Sequence, residues 1–266
     1  MRDTRERRSS GDRRRRPGSA SGELHTAIAE GQVELLFQPQ FSCTDGRLTG
    51  AEALTRWKHP QHGVIGVETL FETAVQASDS VALTRHIAAR ALAAAAMWPD
   101  SLRLSLNVTA ADLAAGDFVE GLLALVAESG FPCERLTLEI TEQALVRDIE
   151  RSAHELARLA DGGIRLALDD FGAGFCNFRY LKILPLDFLK LDRSMVEGIV
   201  SDERDLAVLR AIVAMADALG LTVIAEGIES EDQLEKVRAE GCATFQGFLR
   251  ARPMEAEAFM QFAGAR

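Results

Sequence analysis

The chain has 266 residues, 47% of them hydrophobic, and a formal charge of −10, a size that suits one sizeable core and a single α/β barrel. No run of eighteen or more apolar residues is free of charge, and arginines follow Met1 where a signal peptide would have its apolar core; this argues for a cytoplasmic protein with no integral membrane segment. Cys43, Cys133, Cys176 and Cys242 form no CxxC pair, which argues against a thiolate zinc site and a disulfide scaffold.

In chain order, residues 1–22 come first, with eight arginines against Asp3, Glu6 and Asp12. Their net +5 leaves −15 for the rest of the −10 total. Poor in apolar residues, this stretch cannot offset its own ordering entropy and reads as a disordered basic tail, with one folded domain over 23–266. The acidic body argues against a nucleic acid polymer as partner, since phosphate-binding surfaces carry basic stripes.

Eight apolar runs then alternate with segments of helical period: Val33–Gln38, Thr49–Arg56, Leu102–Asn107, Arg135–Ile140, Ile164–Asp169, Asp187–Leu191, Thr222–Glu226 and Ala243–Gly247. The helical segments are Leu70–Met97, Ala110–Ser129, Ala144–Leu159, Leu206–Leu219 and Asp232–Glu240. Thr109 with Asp112 and Ser230 with Gln233 have capping-box spacing, and Gly130, Gly162, Gly220 and Gly241 follow helices. Eight strands in βα alternation predict a (β/α)8 barrel.

The strands carry polar residues towards their C-terminal ends: Glu52, Asn107, Glu139, Asp169 with Asp170, Lys190, Glu226 and Gln246. In a barrel all of these face one mouth. One charge inside an apolar strand has a local explanation, but several on successive strands indicate a site. Converging carboxylates repel one another unless cations neutralise them. The set offers oxygen and no histidine or thiolate, which favours Mg2+ or Mn2+ over zinc. The adjacent pair Asp169 and Asp170 suits two ions, and two ions suit phosphodiester hydrolysis. Lys190 by itself fits a salt bridge to a strand-end carboxylate as well as a catalytic ammonium. Glu229 is placed as an anchor behind the site. Asp170-Phe171-Gly172-Ala173-Gly174-Phe175 reads as a mobile loop or a tight turn, with Phe171 or Phe175 as its apolar anchor.

Taken together, the motifs resemble the EAL-domain phosphodiesterases that hydrolyse cyclic di-GMP. They are FQPQ with Gln38, AEALTRWKHP with Glu52, SLNVT with Asn107, LTLEITE with Glu139 and Glu142, and LALDDFGAGF with Asp169 and Asp170. LDFLKLDRSMV with Lys190, VIAEGIE with Glu226 and Glu229, and FQGFLRARP with Gln246 complete the set, over residues 24 to 260. The resemblance implies a modified TIM (β/α)8 barrel with an antiparallel first strand. It implies one ion held by Glu52, Asn107, Glu139 and Asp169, a second held by Asp169 and Asp170, and inhibition by Ca2+. Glu226 and Gln246 would bind metal-ligated water or substrate oxygen, and Lys190 would position the hydrolytic water. Gln38, Leu54 and Arg56 would touch the dinucleotide, Arg56 through a phosphate. Glu142 would tether the loop and connect it to a homodimer, and the resemblance leaves room for a regulatory partner protein. The implied product is linear pGpG, and the implied role is lowering a second messenger in bacterial signalling. A receptor that binds cyclic di-GMP or a protein partner without turnover is the competing class; the complete ligand set argues against it. The chain departs from the family in VIGVETLFETAVQASDSVAL after the second strand, in Cys176 and Asn177 where paired serines are common, and in Thr109 for a serine.

Overall fold

The computed structural model describes residues 20–76, 79–145, 149–174 and 178–264. Ten strands are present among them: β1 (Val33–Ser42), β2 (Leu48–His59), β3 (Gly63–Ile65), β4 (Arg103–Val108), β5 (Leu136–Thr141), β6 (Arg165–Phe171), β7 (Phe188–Leu191), β8 (Thr222–Ala225), β9 (Thr244–Gln246) and β10 (Met254–Glu255).

Eight of these close a barrel. β2, β4, β5, β6, β7, β8 and β9 pair in parallel, in that order. β1 runs against both β2 and β9 and seals the ring, as the resemblance implies. β3 and β10 add short antiparallel pairs to β2 and β1.

The alternation of strand residues fixes the two faces of the wall. In β5, Leu136, Leu138 and Ile140 join the core beneath the surrounding helices, so Thr137, Glu139 and Thr141 fall on the opposite, inner face. β4 repeats this with Leu104, Leu106 and Val108 in the core and Ser105 and Asn107 inward. Burying an outer leucine contributes roughly 1.5–3 kcal/mol, and a one-residue slip would exchange the two faces along a whole strand.

Several sequence expectations shift. The segment Leu70–Met97 is two helices, Val67–Gln76 and Ser80–Ala95, and Ala110–Ser129 is Ala110–Ala114 followed by Phe118–Ser129. The first strand continues past Gln38 to Ser42. A helix over Ala20–Ala29 starts within the stretch 1–22, and the remainder of that stretch lies outside the described residues. Phe175, Cys176 and Asn177 also lie outside them. Both predicted capping boxes form, Thr109 with Asp112 and Ser230 with Gln233. The left-handed residue after the helix Ile149–Asp161 is Gly163 and not Gly162.

Candidate active site and metal centre

β2 brings Glu52 inward at the level where β4 brings Asn107, β5 Glu139, β6 Asp169 and β7 Lys190. Glu52, Glu139 and Asp169 are buried and can each offer an oxygen within 4.8 Å of the other two. Lys190, 1% exposed, stands among them. Its Nζ lies 2.5 Å from Glu139 Oε2, 2.8 Å from Glu226 Oε1, 3.0 Å from Asp169 Oδ1 and 3.6 Å from Glu52 Oε2. Amides complete the layer. Asn107 Nδ2 donates to Glu52 Oε1 at 2.9 Å, and Gln246 Nε2 donates to Glu52 Oε2 at 2.7 Å and to Glu226 Oε1 at 3.2 Å.

One ammonium faces four carboxyl groups, and the balance shows in their affinity for protons. Burial, then the Glu52 charge, pushes Glu139 well above the usual carboxylate range. Burial pushes Glu226 up to about 8 against the pull of Lys190. For Glu52 burial acts upward, yet Lys190, Gln246 and Asn107 outweigh it and hold the group below its ordinary value. For Lys190 burial opposes the charge, and Asp169, Glu139, Glu226 and Glu52 outweigh it, so the ammonium is held well above its ordinary value.

The donor set fits a hard divalent cation. Glu139 Oε1 is buried with no hydrogen-bond partner, and Asn107, donating through Nδ2, keeps its carbonyl oxygen available. Two oxygens on opposite sides of such a cation stand about 4–5 Å apart, in line with the spacing of the trio. A fixed excess of buried negative charge requires a cation or protons.

Asp170 stands apart from the trio. Exposed and adjacent to Asp169, it is the one non-glycine with positive φ among the described residues, at 55°. Burial of its carboxyl, then the Asp169 charge, pushes it up to about 6. The left-handed turn aims Asp169 and Asp170 differently and opens the DFGAG loop. Gly172 continues it with φ 104°, and a Cβ there would strike the Met195 side chain, so glycine is required. Phe171 is buried, its ring 6.2 Å from that of Phe178. Glu142 begins the short helix Glu142–Leu145 directly after β5.

The remaining candidates sit higher or outside. Gln38 pairs with Glu52 in the β1–β2 ladder, Leu36 with Leu54 and Glu34 with Arg56. Leu54 and Arg56 therefore rise above Glu52 on its own face, at about 7 Å per two residues. Arg56 donates to the Thr55 carbonyl at 2.8 Å and does not reach the cluster. Glu229 is exposed and pairs with Arg193 at 3.0 Å. Sequence reasoning passed over Gln40, which donates to Gln246 Oε1 at 3.1 Å; the period-two spacing from Gln38 was the available signal.

The EAL domain profile matches residues 21–253. The chain belongs to the EAL domain family. It is 36% identical over 246 residues to the cyclic di-GMP phosphodiesterase NbdA of Pseudomonas aeruginosa, a match covering 90% of this chain and 31% of NbdA. The structure of the PaMucR phosphodiesterase in complex with c-di-GMP superposes with a TM-score of 0.83 at 33% identity, covering 90% of this chain and 99% of that one. The calcium and cyclic di-GMP complex of Klebsiella pneumoniae BlrP1 gives 0.75 at 26% identity, covering 90% and 58%. This EAL chain spans about a third of the length of the first curated relatives it matches. EAL domains depend on divalent metal, and the buried acidic trio is where this one can hold it.

Proposed function

We propose that this EAL domain hydrolyses cyclic di-GMP to linear pGpG with Mg2+ or Mn2+. The observation that carries the reading is the buried trio Glu52, Glu139 and Asp169 gathered around Lys190. Relatives named as cyclic di-GMP phosphodiesterases, and a related phosphodiesterase structure with that nucleotide bound, support the substrate.

Glu52, Asn107, Glu139 and Asp169 would hold one ion, and Asp169 with Asp170 a second. When bound, the ions would offset charge on the phosphodiester and ease loss of a proton from water. Lys190 and Glu226, 2.8 Å apart, orient that water for in-line attack on phosphorus while the opposite ester bond breaks. Gln246 holds Glu52 and Glu226 in place. Gln38 beside this layer, and Leu54 and Arg56 above it, receive the dinucleotide, Arg56 through a phosphate. Glu142, Glu229 and Phe171 anchor the loops around it.

The protein works in the cytoplasm as a homodimer, open to a regulatory partner protein; no helix among the described residues is long and apolar enough to cross a membrane. Ca2+ supports nucleotide binding and inhibits turnover. Chromatography of cyclic di-GMP incubated with the protein and Mg2+, Mn2+ or Ca2+ tests the reading. It predicts pGpG with the first two and retained substrate with the third. Binding without pGpG in any of them would assign the chain to a receptor.

A further inference from the structure

Gln40 and Gln246 are both buried at 5% exposure and face each other across the β1–β9 ladder. The Gln40 backbone is fixed in turn, since Thr49 Oγ1 donates to its carbonyl at 3.1 Å. Gln40 Nε2 donates to Gln246 Oε1 at 3.1 Å, and Gln246 Nε2 then gives its two hydrogens to Glu52 at 2.7 Å and Glu226 at 3.2 Å.

A primary amide has chemically opposite ends. Turned over, Gln246 would point its oxygen at two carboxylates and its NH2 at the NH2 of Gln40. All three hydrogen bonds would be lost. A donor at position 40 therefore selects the orientation of Gln246 from below, while the carboxylates select it from above. Gln40 also lines a cavity of about 260 Å3 at the N-terminal mouth of the barrel, with Ser105, Thr137 and Thr244. With Phe188 and Ile224, which line the same space, it stands between that cavity and the carboxylate layer.

We infer that Gln40 is a positioning residue for the hydrolysis proposed above: it acts through the Gln246 amide and touches neither substrate nor carboxylate. The inference rests on that reading of the site, and its effect falls on turnover more than on substrate capture. Gln40→Met keeps length and volume and removes the donor. Steady-state kinetics with Mn2+ should show kcat lowered about tenfold and KM within about twofold of wild type, the scale of one misplaced hydrogen bond. In a Gln246→Leu background the same change should cost nothing further, because the intermediary is gone. An unchanged kcat in Gln40→Met, or losses that multiply in the double variant, would overturn the inference.

A second arm does not need turnover. The side-chain amide 15N–1H signals of Gln246, assigned by their disappearance in Gln246→Leu, should move or broaden in Gln40→Met without added metal; unmoved signals would also overturn it. A wild-type protein without turnover would count against the proposed hydrolysis and leave this spectrum to decide the role of Gln40.

Discussion

Lys190 stands within 4 Å of Glu52, Glu139, Asp169 and Glu226, so its single charge offsets part of the mutual repulsion of four acids. Removing one partner of a buried ionic set costs about 3–5 kcal/mol, because the remaining charges stay buried. Lys190→Met is therefore expected to lower the melting temperature strongly in EDTA. Saturating Mn2+, which supplies positive charge to the same oxygens, should restore much of the loss. Scanning fluorimetry of the variant with and without Mn2+ checks this; equal melting in both conditions would refute the shared charge balance. Asp112 offers a pH test away from the site. Its Oδ2 accepts from Thr109 N, Thr109 Oγ1 and Thr84 Oγ1, while its Oδ1 is buried without a partner. Burial, opposed by those hydrogen bonds, raises this carboxyl above its ordinary value. The folded state thus holds the proton more tightly than the unfolded chain, and stability falls as pH rises from the ordinary carboxylate range through the raised value. Asp112→Asn keeps an acceptor and removes that titration. Its melting temperature relative to wild type should climb as pH rises out of the ordinary carboxylate range; a difference that stays flat with rising pH would contradict the assignment.

Strands are the elements whose faces were legible in advance. LTLEIT and LSLNV alternate apolar and polar residues with period two, and among the polar members Glu139 and Asn107 became part of the site. Carboxylates at strand ends announce themselves because a buried charge has few structural reasons to be there. Gln40 did not, because it lies beyond the run Val33–Gln38 and a neutral amide after a proline is common outside strands. β1 instead continues: Leu36 and Phe37 pair with β10, Gln40 to Ser42 pair with β9, and Pro39 falls between these pairings, where that edge requires no ladder bond. The three-residue strand β3 depends on pairing with β2 that local periodicity does not encode. Helix contributions can be measured singly. Leu156, fully buried in the core on the helix Ile149–Asp161, should cost about 2–5 kcal/mol as Leu156→Ala. Ser230 caps the helix Glu231–Glu240 through Gln233 N, and Ser230→Ala should cost about 1 kcal/mol. Urea unfolding gives both values, and a Ser230→Ala loss exceeding that of Leu156→Ala would reverse this ranking of core over cap.

As a whole, the barrel holds a layer of carboxylates around one lysine at the C-terminal ends of its parallel strands, closed from the side by one reversed strand. This architecture would make a bound cation part of the folded protein's charge balance as well as of the proposed chemistry. Light scattering after size exclusion should give twice the monomer mass if the proposed homodimer forms, and a monomer mass at working concentration would refute it. The central claim is that Glu52, Glu139 and Asp169 would hold the metal on which the proposed hydrolysis of the nucleotide depends. The most direct measurement strips the protein with EDTA, restores Mn2+, and follows cyclic di-GMP by chromatography in wild type, Glu52→Ala and Asp169→Asn. The account predicts no pGpG in EDTA, rapid pGpG after Mn2+ in wild type, and rates lower by orders of magnitude in both variants. Undiminished turnover in either variant, or turnover that survives EDTA, would contradict it.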